Sequence, residues 1–177
     1  MTNDPEWMAH VPEEYRQRVR TATKRNALKS RTGAQAERPQ EILTPRWILD
    51  WLVKEWNGIA LDPCADSSGN VPADVRYVGM FTDGLHASWD DRTFINPPYK
   101  DLKTWLAKTL EQAGSLERRI TVLCPVRSHR EWWRSAMERA DRVIFLPPIA
   151  FVGYSQTFPE PVCLLCFNWT PTTEPRQ

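Results

Sequence analysis

Short apolar runs alternate with amphipathic stretches along the chain from residue 41 onward. Six runs are rich in branched or aromatic residues and are bounded by turn-forming residues, which is typical of buried strands. They lie at residues 59–61, 75–81, 92–95, 120–124, 143–146 and 162–167. The sequence therefore predicts six short strands, and the first of them is expected to stop at Asp62 and Pro63.

Three stretches with apolar residues three and four positions apart predict helices. They run from residue 44 to about 57, from 102 to 110 and from 130 to 139. In the first helix Thr44 would cap the amino end and Pro45 would take the first helical position. No helix is evident between the last two strands, so we expect them to pair antiparallel through the loop at 147–161. The pattern predicts an α/β fold with a mainly parallel sheet and an antiparallel C-terminal strand.

The 177 residues suffice for one domain with flexible ends. Residues 1–40 are polar and basic and are expected to form an N-terminal arm and linker, with a helix at about 12–30. Residues 41–170 would form the domain and 171–177 a flexible tail. No apolar run approaches the length of a membrane span, and the N-terminus lacks a signal-peptide pattern, so we expect a cytoplasmic protein.

Basic residues are concentrated at 14–31 and again at 118–142, although the net charge is only +1. Such clusters suit phosphate backbones, and a solvated helix face would explain either one equally well. In the first cluster, Arg25 and Lys29 are our candidates for nucleic-acid contact. Cys163 and Cys166 would point to opposite faces of a strand, and no second pair completes a zinc site, so we expect no metal.

The turn Asn96-Pro97-Pro98-Tyr99, directly after a predicted strand, carries the most specific chemistry in the chain. The Asn96 side-chain oxygen and the Pro97 carbonyl could each accept one N–H of a planar amine, which would free the nitrogen lone pair. The two prolines restrict φ and remove backbone donors, and Tyr99 offers a ring on which a base could stack. These four residues are candidate catalytic residues for methylating an amine, and a plain strand-ending turn is the alternative.

Two acidic turns follow earlier strands: Asp62-Pro63-Cys64-Ala65 after the first, and Asp83 after the second. Ligands of α/β sheets bind at the carboxyl ends of strands. The chain has no G-x-G-x-x-G pattern, which suits a ligand without phosphates such as S-adenosylmethionine. Asp62 could then take the ammonium group of its methionine half, and Asp83 the adenosine portion. Ordinary turn formation is the alternative for both aspartates.

Further motifs in chain order complete the pattern: Thr44-Pro45-x-Trp47, Asp83-Gly84-Leu85, Trp89, Phe94-x-Asn96, Pro125-Val126-Arg127, Arg142-Val143-x-Phe145-Leu146 and Phe158-Pro159-x-Pro161. With them, residues 41–168 resemble the small phage-type DNA N6-adenine methyltransferases (Dam-like). The resemblance implies a Rossmann-like S-adenosylmethionine-dependent methyltransferase fold and adenine in DNA as the substrate. It also implies a catalytic loop at 96–99 and a cofactor pocket containing Thr44, Trp47, Asp62, Pro63, Cys64 and Ala65. Asp83 stays a candidate for the same pocket because of its place after the second strand.

The expected reaction is direct methyl transfer from S-adenosylmethionine to N6 of an adenine flipped out of double-stranded DNA at a specific site. Arg127, Ser128 and His129 follow the fourth strand and could hold DNA phosphate. We expect a monomer, working in the cytoplasm of a bacterial host if it is encoded by a phage. Since the chemistry asks only for a planar amine, RNA adenine, cytosine N4 and protein glutamine stay open, as does a non-catalytic DNA-binding protein on the same fold.

Overall fold

The computed structural model describes residues 42–78, 83–116 and 118–169. The predicted N-terminal arm at 1–40, with Arg25 and Lys29, lies outside these ranges, as does the predicted tail at 171–177. The described residues form a single mixed sheet with helices on both of its faces. No helix in these ranges is long and apolar enough to cross a membrane.

The described ranges contain three α-helices and six strands. Helix α1 spans Arg46–Trp56, α2 spans Leu102–Leu116 and α3 spans Glu131–Arg139. The strands are β1 (Ile59–Ala65), β2 (Ala73–Val78), β3 (Thr93–Ile95), β4 (Ile120–Pro125), β5 (Arg142–Phe145) and β6 (Val162–Phe167). A 3-10 turn at Tyr99–Asp101 leads from the end of β3 into α2. Each predicted strand and helix of the domain is therefore present. The strand at 162–167 has the predicted bounds, the others are shifted, and residues 79–81 of the second predicted strand lie outside the described ranges.

The strand order in the sheet is β2-β1-β3-β4-β6-β5. The first four strands in this order pair parallel with their neighbours. Strand β6 pairs antiparallel with both β4 and β5. The structure therefore confirms the predicted α/β fold with a mainly parallel sheet and the predicted antiparallel pairing of the last two strands.

Two apolar clusters cover the two faces of the sheet. Helix α1 packs on one face, and α2 and α3 pack on the other. Successive strand residues alternate between the clusters: Phe94 faces α1 and Ile95 faces α2. Cys163 and Cys166 also fall in different clusters, as their spacing predicted. Continuous apolar runs in β3, β4 and β6 are explained by this two-sided burial.

Strand β1 continues past Asp62 and Pro63, so the prediction that these residues end the strand is wrong. Asp62 pairs with Arg76 of β2, but the next pair joins Ala65 to Val78. Strand β1 thus uses one more residue than β2 over this step, which is a β-bulge. The bulge accommodates Pro63 because proline lacks the N–H that a regular ladder would require.

The predicted N-cap is also wrong. Helix α1 begins at Arg46, and Pro45 occupies the capping position with φ −59° and ψ 137° and without a side-chain capping bond. The carbonyl of Pro45 accepts the Ile48 N–H at 3.0 Å, which closes the first turn. The Thr44 hydroxyl does not cap the helix because it is bonded to Asn96, on the turn after β3.

Candidate active site

The carboxyl ends of β1, β3 and β4 lie side by side at one edge of the sheet. We call this the carboxyl edge and define it by residues 62–65, 96–99 and 125–127. The chain leaves β1 toward β2 on one side and returns to β3 on the other, which makes the end of β1 a topological switch point. Open α/β sheets bind ligands in the crevice at such a point.

The Asn96 side chain is held in one orientation by two acceptors on the segment that precedes α1. Its Nδ2 donates to the Ile42 carbonyl at 2.6 Å and to the Thr44 Oγ1 at 3.2 Å. Since a carbonyl can only accept, the amide nitrogen must face this segment. The other amide atom, Oδ1, is buried and has no hydrogen-bond partner. A buried acceptor without a donor costs about 1–3 kcal/mol, so a ligand that supplies a donor to Oδ1 would gain this free energy on binding.

Tyr99, the last residue of the turn at 96–99, belongs to an aromatic cluster with Phe151 and Phe158. The Tyr99 ring meets Phe151 edge-on at 6.2 Å and Phe158 at 5.5 Å between ring centroids. The two phenylalanines are 5.4 Å apart and nearly perpendicular. The Tyr99 hydroxyl is buried without a partner, and burial raises its pKa well above the ordinary value. The ring is therefore neutral at physiological pH and is fixed in place by apolar contacts.

Asp62 is a buried carboxylate, with 2% of its surface exposed. Burial, aided by Asp66, raises its pKa from 3.8 to about 7. The Cys64 N–H, which donates to Oδ1 at 3.1 Å, and the charge of Arg76 oppose this change. A cation placed close to Asp62 would restore its ionised form, because opposite charges favour ionisation.

Cys64 links Asp62 to the turn after β3. Burial raises the pKa of its thiol, and the Asp62 charge adds to this effect. The Asn96 backbone N–H bonds the sulfur and opposes part of the change. The structure therefore brings together two predicted groups, the end of β1 and the turn at 96–99. The other two predicted residues at the end of β1 are Pro63, which is buried, and Ala65, which is half-buried.

The Asp83 turn also packs against the end of β1. A Cβ added at Gly84 would lie 1.8 Å from the Pro63 carbonyl oxygen, so only glycine permits this approach. Asp83 accepts the Leu85 N–H at 2.9 Å and bonds His86 Nδ1 at 2.6 Å, and the contact with His86 lowers its pKa. Both carboxylate oxygens thus close the turn, as the alternative interpretation of Asp83 predicted.

Thr44 and Trp47 occupy different environments around α1. Thr44 is 1% exposed and contacts Asn96. Trp47 is half-buried against the cluster on the α1 face of the sheet. The structure therefore brings Thr44, but not the Trp47 ring, into a polar contact with the turn at 96–99.

The loop between β4 and α3 carries the other predicted DNA contacts. Ser128 and His129 are exposed, and the Ser128 carbonyl accepts from Arg134 at 3.1 Å. Arg127 donates to Glu160 Oε1 at 3.0 Å, while its buried Nε has no partner. The loop lies at the carboxyl edge, so these residues share one edge of the sheet with Asn96.

Strand β4 separates the first residues of the second basic cluster, at 118–142, from those that follow the strand. Arg118 and Arg119 precede the strand and lie at the opposite edge of the sheet. There Arg119 pairs with Asp91, and Arg118 donates to Gln112 at 3.0 Å. Arg142, which begins β5, pairs with Cys166 opposite Thr121 and therefore lies at that same edge. Of these residues, Arg127 is the one at the carboxyl edge, directly after β4.

Sequence reasoning missed three contributors to the site: the donor Asn70, the ion-pair partner Glu160 and the aromatic side chain of Phe151. Asn70 Nδ2 donates to the Thr44 carbonyl at 3.0 Å. None of the three carries a local pattern, because each acts through a contact with a distant part of the chain. Within the described ranges, no group of three or more His, Cys, Asp or Glu side chains could hold a metal ion.

A model of a known protein family matches most of the chain. The family model for DNA N-6-adenine-methyltransferase (Dam) matches residues 31–176. The matched range includes the whole carboxyl edge and every contact described above. No curated protein matches the chain.

Proposed function

We propose roles for the site residues on one premise, which is that this chain belongs to the DNA N-6-adenine-methyltransferase (Dam) family. The protein is accordingly an S-adenosylmethionine-dependent enzyme that methylates adenine in DNA. The observation that carries the residue roles is the buried Asn96 Oδ1, an acceptor held in place without a donor. Our proposal is that the N6 amine of the target adenine supplies that donor.

The proposed step is a single displacement at a methyl group. S-adenosylmethionine, when bound, supplies this methyl group on a positively charged sulfur. Asn96 Oδ1 accepts one N–H of N6 and the Pro97 carbonyl accepts the other, which draws the nitrogen toward tetrahedral geometry. As the N–C bond forms and the C–S bond breaks, positive charge moves to N6, and both acceptors bind it more strongly. One N6 proton then leaves to water, which restores the neutral amine.

Base flipping gives the amine access to this turn, since N6 is out of reach inside a duplex. We assign Tyr99 as the stacking surface for the extruded base, because Phe151 and Phe158 hold its ring from the side. Asn96 Oδ1 is shielded from solvent in this structure. Neighbouring side chains must therefore give way when the base enters.

For the cofactor, Asp62 fits the ammonium group of the methionine half. It is a buried carboxylate at the end of β1 and lies one side chain, Cys64, away from the Asn96 backbone. An ammonium group beside it would stabilise its ionised form. We keep Pro63, Cys64 and Ala65 as the pocket wall and Asp83 as a rim residue, since the Gly84 turn packs on Pro63.

For the DNA, Arg127, Ser128 and His129 fit the phosphate backbone on the same side as Asn96. The unpartnered Nε of Arg127 would gain an acceptor from a phosphate oxygen. We propose double-stranded DNA as the bound form and a monomer as the active unit. Phosphate contacts on this loop would fix the position of the duplex while the target base is flipped out of it.

Replacing Asn96 by alanine tests the proposal. Asn96→Ala removes the acceptor, so methyl transfer from labelled cofactor to unmethylated DNA should fall by about 100-fold or more, in line with the loss of a transition-state acceptor. The affinity for S-adenosylmethionine should stay within about threefold of the native value, equivalent to less than about 0.7 kcal/mol. Unaltered turnover would remove Asn96 from the mechanism.

A matched control uses Asn168, whose Nδ2 donates to two carbonyls at the opposite edge of the sheet, at 2.9 and 3.0 Å. Glycine tolerates its φ of 51°, so Asn168→Gly removes a similar amide without backbone strain. The folded control should keep its activity.

A second experiment offers RNA and protein separately as methyl acceptors. Label appearing only in one of them would refute the DNA specificity of this site.

A further inference from the structure

The orientation of the Asn96 amide depends on the segment at 42–44, which is more than fifty residues away in the chain. The Ile42 carbonyl and the Thr44 hydroxyl accept from Nδ2 at 2.6 and 3.2 Å. The last side-chain torsion of asparagine is broad and roughly two-fold, so the covalent structure alone does not select one amide orientation. A flipped amide would present N–H groups to the target amine, where an acceptor is needed.

Thr44 is itself held firmly. It is 1% exposed, and its carbonyl accepts from Asn70 Nδ2 at 3.0 Å. The Asn70 backbone N–H in turn donates to Asp66 Oδ2 at 3.2 Å. Asp66 and Asn70 belong to the loop that follows β1 directly, so hydrogen bonds lead from that loop through Thr44 to Asn96.

Leu43, which lies between Ile42 and Thr44, connects the same segment to the loop on the other side of the site. The Leu43 carbonyl accepts the Val152 N–H at 3.0 Å, in an isolated antiparallel bridge. Val152 follows Phe151, which contacts Tyr99. The segment at 42–44 is thus anchored to the loops on both sides of the catalytic turn, which makes it a rigid support for the Asn96 amide.

We infer that Thr44 is a positioning residue for methyl transfer, because its hydroxyl holds the Asn96 amide with Oδ1 directed at the target amine. The inference rests on the role proposed above for Asn96. It differs from a place for Thr44 in the cofactor pocket, since its hydroxyl is engaged with Asn96. Thr44 would then affect the chemical step and leave cofactor binding nearly unchanged.

Two substitutions at this position separate the hydroxyl from the shape of the side chain. Thr44→Val keeps the volume and removes the hydroxyl, while Thr44→Ser keeps the hydroxyl. We expect Thr44→Val to lower kcat by about 10- to 100-fold, the loss that follows misplacement of a catalytic group. The KM for DNA and the Kd for S-adenosylmethionine should each change by less than about threefold, or about 0.7 kcal/mol. Thr44→Ser should restore kcat to within about threefold of the native value.

Thr93 provides a matched control. It is fully buried, its hydroxyl donates to the Asp90 carbonyl at 2.6 Å, and it lies at the amino end of the strand that leads to Asn96. Thr93→Val should keep its kcat in the folded fraction. If Thr44→Val does not fold, Asn70→Ser replaces it, since serine is too short to reach the Thr44 carbonyl. This variant should lower kcat without raising the Kd for the cofactor.

The outcomes separate this inference from the proposed function. Loss of activity in Asn96→Ala with native kcat in Thr44→Val would overturn the positioning role and leave the function standing. Native activity in Asn96→Ala would refute the proposed role of Asn96, and the inference about Thr44 would fall with it. A Thr44→Val enzyme with weaker cofactor binding and native kcat at saturation would place Thr44 in the cofactor pocket instead. An equal loss in Thr44→Val and Thr93→Val would show a structural effect only, and would also overturn the inference.

Discussion

Replacing Asp62 by asparagine should make the cofactor-free protein more stable at neutral and alkaline pH. The native carboxylate is 2% exposed, and burial raises its pKa from 3.8 to about 7. Between these values the folded protein holds a proton at Asp62 that the unfolded chain releases. The free energy of unfolding therefore decreases as the pH rises from about 4 to about 7, and this group adds no further change above that range.

The size of the effect follows from the same two values. The difference between 3.8 and about 7 corresponds to roughly 4 kcal/mol, at about 1.4 kcal/mol for each pKa unit. Asparagine cannot ionise, and its Oδ1 can still accept the Cys64 N–H. Its new amide N–H groups would be buried, at a cost of about 1–3 kcal/mol where no acceptor is in reach. We therefore expect Asp62→Asn to be more stable than the native protein by about 2 kcal/mol at pH 8, and less stable by about 2 kcal/mol near pH 4, where only the cost of the buried amide remains.

Denaturant unfolding of the cofactor-free proteins, at steps of pH between 4 and 8.5, measures this difference. Asp74→Asn is the matched control, since it replaces an exposed aspartate on β2 and should leave the pH dependence unchanged. Adding S-adenosylmethionine should reverse the ranking, because a neutral amide cannot pair with an ammonium group. An Asp62→Asn protein that is no more stable than the native protein at pH 8, with the same pH dependence, would refute the reasoning.

Two other substitutions test the surroundings of the turn at 96–99. Tyr99→Phe removes a buried hydroxyl that has no partner, so it should raise the free energy of unfolding by about 1 kcal/mol and keep the stacking ring. Thermal unfolding measures the change in stability, and a methyl-transfer assay measures the activity. A destabilised, inactive Tyr99→Phe protein would show that the hydroxyl takes part in both. Glu160→Gln removes the carboxylate that pairs with Arg127, so DNA should bind about threefold more tightly at low salt, by roughly 0.7 kcal/mol. Fluorescence anisotropy with a duplex measures this affinity, and unchanged or weaker binding would separate Arg127 and Glu160 from the DNA contact.

Local pattern was sufficient for most of the fold. The predicted strand at 162–167 has the observed bounds, and the helix predicted at 130–139 begins one residue later, at Glu131. Alternation of buried residues along β6 also separated Cys163 from Cys166 correctly. Such features depend on residues close together in the chain, where the periods of strand and helix are visible.

Two features that the local pattern did not predict depend on how the strands pair in the sheet. Strand β1 extends through Pro63 because a bulge against β2 removes the need for its N–H. The second basic cluster looked continuous, but β4 has six residues and spans about 20 Å, which puts Arg118 and Arg127 at opposite edges of the sheet. Neither the bulge nor the separation of the two arginines can be inferred from the residues adjacent to them in the sequence.

The sequence by itself determined the α/β fold and the turn at Asn96 whose acceptors suit an amine, because both depend on local order along the chain. Only the tertiary structure decided how that turn is held. Thr44 looks like a helix cap in the sequence, yet its hydroxyl bonds Asn96, 52 residues later. A side-chain hydroxyl can satisfy a nearby backbone or a distant side chain, and the folded packing selects between them.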